Sequence, residues 1–593
     1  MPACSAPTSI PRLRVLLLLL LCALALQGPV AAQTPAAPEA RTGWRDLPLA
    51  IAHQTMIAAA NPLAVEAGLE ILRQGGNAAD AAVTVQLVLN LVEPQSSGIG
   101  GGALALHWSA ASGQLQGFDG RETAPLAARA DRFLRDGRPM AHREAVRSGL
   151  SIGVPGTLRL LERLHKAKGR LPWRTVVEPA AVLAEKGFAV SHRLHALLSR
   201  APAASFQPAA RIYFYDRLGS PRPEGFLLRN PEFAATLRRI AEGGAEAFYR
   251  GDVAARIVAA ARAVPDAPGD LSEDDLARYQ AAERDPICSP YRGYRICGMG
   301  PPSSGGIAIA QVLSLLEGFD LGRSPREALT TRPMHLVAEA LKLAYADRDQ
   351  YVADSDFVPL PAGLLDATYL AERRRLIEAG RAMPRPQPGH PGRVGALPVG
   401  DDATEEAAGT SHFSIVDAER NVLSFTGTIE AGFGSRVWAA GFLLNNEMTD
   451  FSARPVDAAG RPIANAIAPG KRPRSSMSPT LIFDAEGKPW AALGSVGGSR
   501  IPLYVTKALI ALIDWKLDAQ QAAALMNFGS RGGAFELEID HPRAIWPALV
   551  LKGMGHRILP DVLTSGTHIV VLRPDGRLEG GADPRREGIA RGD

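Results

Sequence analysis

The 593-residue chain is 46% hydrophobic and 21% charged, long and apolar enough for a sizeable core, and it reads as a globular protein of enzyme size. Its 65 Lys and Arg against 61 Asp and Glu leave a surplus too slight for a nucleic-acid footprint, and no basic run of helical length stands out.

The chain opens with Arg12 and Arg14, an apolar stretch from Val15 to Leu26, and the small-residue site Val30-Ala31-Ala32. That pattern predicts an export signal spanning residues 1–32, since the apolar run falls short of the roughly 20 residues needed to cross a bilayer. A periplasmic or secreted protein follows, with no membrane attachment after signal removal. Cys22 is preceded by Leu19, Leu20 and Leu21 rather than the small residues of a lipidation site.

Two apolar helical segments come next, Ala64 to Gln74 and Ala78 to Leu91, broken by Gly75-Gly76-Asn77. The loop Glu93-Pro-Gln-Ser-Ser-Gly-Ile-Gly-Gly-Gly102 then leads into an alternating strand from Ala103 to His107. A dinucleotide-binding loop follows a strand and opens a helix; this one follows a helix and opens a strand, so it reads as a packed turn. Further helical patterns occupy Thr157 to His165 and Met334 to Tyr345. Cys288 and Cys297 flank Arg292-Gly293, and a two-residue turn there would place the two sulfurs opposite each other, predicting a disulfide in an exported protein.

From Met383 to Gly409 large apolar side chains almost vanish, which predicts a mobile linker. The pattern then turns abruptly to a hairpin: Thr410-Ser-His-Phe-Ser-Ile-Val-Asp417, a turn at Glu419 to Asn421, and Val422 to Thr428. A threonine hydroxyl needs a base beside it, and an N-terminal threonine carries one in its own α-amine. Gly409-Thr410 offers a cleavage site that would expose such a residue, although a threonine opening an ordinary strand looks the same. A last hairpin is predicted from Thr567 to Leu572 around Pro574-Asp-Gly576. The chain has no zinc-type Cys/His spacing, no His-Glu-x-x-His and no Gly-x-Ser-x-Gly, so neither a metal nor a cofactor is called for.

Four segments in order, Gly409 to Asp417, Leu443-Leu-Asn-Asn-Glu-Met-Thr-Asp-Phe451, Lys471-Arg-Pro-Arg-Ser-Ser-Met-Ser-Pro-Thr480 and Gly494-Ser-Val-Gly-Gly-Ser-Arg500, resemble the γ-glutamyltransferase family. Upstream, Gly75 to Ala82, Glu93 to Gly102, Asp119-Gly-Arg-Glu-Thr-Ala-Pro125 and Pro301-Pro-Ser-Ser-Gly-Gly306 resemble it too, so the likeness spans about residues 50 to 585.

The resemblance implies an α+β fold, the four-layered αββα sandwich of the N-terminal nucleophile hydrolases. It also implies one chain cut before Thr410 into a large subunit, 33–409, and a small catalytic subunit, 410–593. By similarity Thr410 is the nucleophile, Thr428 donates to or positions its hydroxyl, and the amides of Gly497 and Gly498 form the oxyanion hole. Arg121 matches the ligand of a substrate α-carboxylate, assisted by Ser475 and Ser476, while Glu430, Glu447 and Asp450 match the acids around an α-ammonium. Glutathione and γ-glutamyl peptides are the implied donors, and water, amino acids or dipeptides the acceptors. Three departures stand out: Glu430 lies where many relatives carry asparagine, although an acidic residue is within the family's range; Ser411 replaces a common second threonine; and Arg454 to Lys471 is shorter than the lid-forming segment of some relatives, which implies a more open pocket. Two rivals share the pattern, a glutaryl-type β-lactam acylase and a non-catalytic γ-glutamyl-peptide binding protein of the export compartment.

Overall fold

The computed structural model describes residues 41–392, 400–404, 406 and 409–593. The expected export signal lies outside the described residues, as does part of the expected linker.

Two seven-stranded antiparallel sheets are stacked face to face. The first runs Ile589–Gly592, Met56–Ala59, Gly409–Val416, Val422–Glu430, Gly102–Ser109, Gln114–Gly120 and Ala282–Arg284. The second runs Ala50–Ala52, Leu578–Ala582, His568–Leu572, Pro489–Gly494, Thr480–Phe483, Tyr294–Gly298 and Ile287–Tyr291. Helices Pro62–Arg73, Ala78–Val92 and Thr157–Lys168 cover the outer face of the first sheet, and Gly305–Leu316 and Ile501–Ile513 cover the second. The layers are therefore helix, sheet, sheet, helix, as the resemblance implies.

Alternation along the central strands explains this layering. Phe413, Ile415, Leu423 and Phe425 point into the core shared with Val85, Leu87 and Val88 of the covering helix. The intervening His412, Ser414, Ser424 and Thr426 point to the other sheet, where Ser424 Oγ donates to Leu493 O at 3.0 Å and Ser414 Oγ to His568 O at 3.3 Å. Helix Ala78–Val92 is buried at every position, because it lies between the sheet and three other helices. Its start is set by the predicted breaker: Asn77 accepts from the Ala79 and Asp80 N–H groups, and Asp80 returns the bond to Asn77 N–H.

The cysteine hairpin has the expected register, with Cys288 opposite Cys297. Arg292 at φ 50° and Gly293 at φ 85° supply the two left-handed residues of its turn, and the disulfide is formed. Closing so short a loop is worth about 2–3 kcal/mol through the unfolded chain. Cys288→Ser is accordingly expected to lower the denaturant midpoint of the folded protein, an effect that reductant should mimic; an unchanged midpoint would reject it.

The described parts of the Met383–Gly409 stretch make contacts with the body of the protein. Tyr351 OH donates to Gly389 O at 2.6 Å, Gly389 N–H donates to Asp347 at 2.8 Å, and Glu406 is buried.

Candidate active site

Thr410 stands on the first strand of the central hairpin, directly opposite Thr428, and a bulge separates it from Gly409. Gly409 lies against backbone: a β-carbon there would come within 2.3 Å of Glu430 O, so no larger residue fits before Thr410 without displacing the strand. The Thr428 hydroxyl donates to Gly409 O at 2.7 Å and accepts from Glu430 N–H at 2.8 Å. In the uncut chain, then, Thr428 grips the carbonyl preceding Thr410 rather than the Thr410 hydroxyl.

The glycine loop before Gly102 is what brings these groups together. A β-carbon on Gly101 would sit 2.0 Å from Thr428 O, and one on Gly100 would sit 2.1 Å from Leu443 O. The expected packed turn is thus a cradle for the Thr428 strand and the Leu443–Asp450 segment. Gly497 and Gly498 follow the strand Pro489–Gly494, whose last residue touches the His412 ring, so they lie toward the Thr410 end of the sandwich. Their φ values of 138° and 56° require glycine.

Arg121 is buried and draws the acidic residues to itself. Nη1 donates to Glu447, Nη2 to Asp450 at 2.5 Å and to Arg474 O at 2.9 Å, Nε to Pro473 O at 3.2 Å, and Glu122 lies 3.6 Å away. One guanidinium therefore faces three carboxylates. Burial works against its charge, but Glu447, Asp450 and Glu122 outweigh burial and hold Arg121 more basic than usual. Burial pushes Glu447 and Asp450 well above the carboxylate range despite Arg121, and raises Glu122 to about 7. Glu447 Oε2 and Asp450 Oδ1 are buried with no protein hydrogen-bond partner among the described residues.

Two asparagines that sequence reasoning passed over aim these acids. Asn445 accepts from Glu447 N–H at 3.0 Å and donates to Gly100 O at 2.8 Å, while Asn446 donates to Glu430 and accepts from Ala431 N–H at 3.0 Å. Glu430 itself holds a left-handed φ of 73° beside Thr428. Their only signal was their place within the quoted Asn-Asn-Glu-Met-Thr-Asp motif.

Ser475 and Ser476 stand apart from Arg121's side chain. Ser475 Oγ accepts from Met477 N–H at 3.1 Å, whereas Ser476 Oγ accepts from Arg348 Nη2 at 2.7 Å and donates to Glu406 at 2.6 Å. The predicted residues thus divide into an Arg121 group and an Arg348 group, joined by Pro473 and Arg474. Arg348 and Glu406 were missed: nothing in the helix around Arg348 marks it, and Glu406 sits in a segment that reads as linker.

Burial alone would raise the Glu406 carboxyl, but Arg348 and Arg474 prevail and its pKa falls to about 2 from an ordinary 4.5. A carboxylate depressed on folding adds stability above its unfolded value and loses it as pH falls through the folded one. The uncut Thr410→Ala chain is therefore expected to weaken between pH 4.5 and about 2 more steeply than the same chain carrying Glu406→Gln. Denaturant midpoints across that range check this, and parallel curves would count against it.

His335, Glu339 and His556 form a buried group with metal-like composition. His335 Nδ1 and His556 Nε2 lie 2.7 Å apart, and Glu339 takes Lys342 Nζ at 2.7 Å and Met383 N–H at 2.7 Å, while His556 Nδ1 is buried with no partner among the described residues. The group reads as a polar core network.

Comparison with known proteins places this geometry. The family described as Gamma-glutamyltranspeptidase matches residues 64–592. A glutathione hydrolase proenzyme of Escherichia coli is 35% identical over 544 residues, covering 90% of this chain and 91% of that protein. The Acylase ACY 1 proenzyme of a Pseudomonas species is 36% identical over 551 residues, 90% of this chain and 92% of the other. Among solved structures, a cephalosporin acylase from Bacillus halodurans superposes with a TM-score of 0.79 at 27% identity, covering 95% of this chain and 99% of its own. With the family match spanning the described sandwich and relatives at this identity over nearly their whole length, the chain belongs to the gamma-glutamyltranspeptidase family, enzymes of the N-terminal nucleophile hydrolase fold.

Proposed function

We propose that this protein is a γ-glutamyl hydrolase and transferase that cuts itself between Gly409 and Thr410 and then uses Thr410 as nucleophile. In the cut, Thr410 Oγ attacks the Gly409 carbonyl carbon while the Thr428 hydroxyl, already bonded to Gly409 O, supports the developing negative charge. The C–N bond breaks as the ester forms, freeing the Thr410 amine, and water hydrolyses the ester to leave Gly409 with a carboxylate. The products are the large subunit, 33–409, and the small subunit, 410–593.

In turnover, the free α-amine takes the proton from Thr410 Oγ. Its ordinary pKa of about 7.7–8 suits a base working near neutral pH. The hydroxyl attacks the γ-carbonyl of the donor, the amides of Gly497 and Gly498 receive the oxyanion, and the leaving amine departs with a proton. Water or the amine of an amino acid or dipeptide then takes the γ-glutamyl group from Thr410. Glutathione and γ-glutamyl peptides are the donors this reading favours, and an exported enzyme would meet them outside the cytoplasm.

The observation that carries the γ-glutamyl assignment is the surplus of buried carboxylate around Arg121. Glu447 Oε2 and Asp450 Oδ1 have no hydrogen-bond partner among the described residues, and a donor α-ammonium supplies both the charge and the N–H groups they need. A second reading, a glutaryl-type acylase, draws on the acylase relatives. The two part on the ammonium. γ-Glutamyl-p-nitroanilide is expected to be preferred over glutaryl-p-nitroanilide by at least ~100-fold in kcat/KM, since a site with polar groups to satisfy rejects the analogue lacking the partner. Equal turnover of the two would favour the acylase. N-terminal sequencing of the smaller fragment tests the cut and should read Thr-Ser-His-Phe.

A further inference from the structure

Two consecutive glycines hold an oxyanion only if something outside them fixes their peptide planes, since glycine has no side chain to limit rotation. Gly497 and Gly498 are fixed from both sides. Ahead of them, Ser495 Oγ accepts from Gly566 N–H at 3.3 Å and from Thr567 Oγ1 at 3.1 Å. The Tyr504 ring closes on Gly497, where a β-carbon would come within 2.6 Å of it. Among the described residues neither glycine N–H donates to a backbone carbonyl, so both stay available to a developing charge.

The residue that follows the pair is gripped at two atoms. Tyr345 OH donates to Ser499 O, and Arg531 Nη1 donates to Ser499 Oγ at 2.7 Å. Both donors are themselves held. Tyr345 is buried on the helix Thr331–Tyr351, and Arg531 Nε donates to Glu536 at 2.6 Å. Glu536 also takes Arg500 Nε at 2.5 Å, while Arg500 N–H donates to Gly497 O at 3.0 Å and Nη2 to Asp561 at 3.0 Å. Ser499 is only half-buried, so water would satisfy it without help; the fold instead commits a buried phenol and an ion-paired guanidinium to this one residue.

We infer that Tyr345 and Arg531 are positioning residues of the oxyanion loop, acting through the carbonyl and the hydroxyl of Ser499 to aim the Gly497 and Gly498 amides. The inference rests on the proposed γ-glutamyl activity. It adds that the large subunit, through Tyr345, orients a catalytic loop that belongs to the small one.

Tyr345→Phe, Arg531→Gln and Ser499→Ala, each assayed as cut enzyme with γ-glutamyl-p-nitroanilide, test this. Misplacing an aimed donor costs up to about 10²-fold, so kcat is expected to fall roughly 10- to 100-fold while KM changes less than about threefold, because acylation and deacylation share the oxyanion. A boronic acid analogue of the γ-glutamyl group, which becomes tetrahedral on Thr410 Oγ, should lose affinity by the same factor. L-Glutamate, which develops no oxyanion, should inhibit as before. Arg531→Lys keeps a donor and should fall between wild type and Arg531→Gln. Combining Ser499→Ala with Arg531→Gln should be no slower than the slower parent, since both remove one contact. An unchanged kcat, parallel losses of boronate and glutamate affinity, or additive losses in the double variant would overturn the inference. Each variant should also yield both subunits, because the proposed cut draws on Thr428 instead; a variant left uncut would count against it equally. Failure of the functional reading looks different: the wild-type enzyme would then neither turn over the anilide nor bind the boronate.

Discussion

Thr410→Ala is expected to yield one uncut chain with γ-glutamyl turnover reduced by at least ~10³-fold, because a single oxygen serves both reactions. In the uncut form that oxygen adjoins a carbonyl already held by Thr428 at 2.7 Å; in the cut form it adjoins its own amine. Alanine removes the attacking atom from both. Thr410→Ser keeps the hydroxyl and should cut, though more slowly. Thr428→Val keeps the shape but not the donor, and loss of one such donor typically slows its step by about 10²–10³-fold. Intact mass and anilide turnover read both steps on the same samples. Two normal fragments from Thr410→Ala would refute the assignment of the nucleophile.

Arg121→Met should destabilise the fold by about 3–5 kcal/mol, the range for removing one partner of a buried ion pair. Glu447, Asp450 and Glu122 would then share a buried space without their cation, and Glu447 and Asp450 already have pKa values well above normal with Arg121 present. The loss should shrink as pH falls, because protonation discharges the stranded acids; their folded pKa values are raised, so the ionised forms cost most on the alkaline side. Combining Arg121→Met with Glu447→Gln and Asp450→Asn should recover much of the loss in stability without restoring donor binding. Urea unfolding of the three proteins at two pH values decides this, and a loss under about 1 kcal/mol for Arg121→Met would show that the acids do not depend on it.

Much of the scaffold was legible along the chain. Alternation marked the hairpin of Thr410 and Thr428, whose observed strands extend by only a residue or two beyond the expected ones. Ten residues around Arg292-Gly293 were enough to set the register of the disulfide. These features depend on neighbours a few positions apart, and side-chain period and turn chemistry act over that range. The helix Thr331–Tyr351 ran past its expected ends because tertiary burial extended a pattern whose own periodicity was weak.

The candidate site was legible as a set of residues but not as an arrangement. The motifs named Arg121, Glu447, Asp450 and Ser476; which groups each meets in the uncut chain, Arg348 for Ser476 and the acids for Arg121, is set by the fold. Arg121 and Glu447 are 326 positions apart, and their pairing exists only because the glycine loop and the Asn445–Asn446 pair press distant segments together. The sequence by itself determined the hairpin that presents Thr410 and the covalent staple at Cys288 and Cys297, since each follows from local period and spacing, whereas the layered sandwich was implied by the family resemblance. Only the tertiary structure decided which charge neutralises which. Burial makes an unpaired charge costly, so each buried guanidinium takes the carboxylate that packing brings within reach, and for Arg348 that is Glu406, four residues ahead of Thr410.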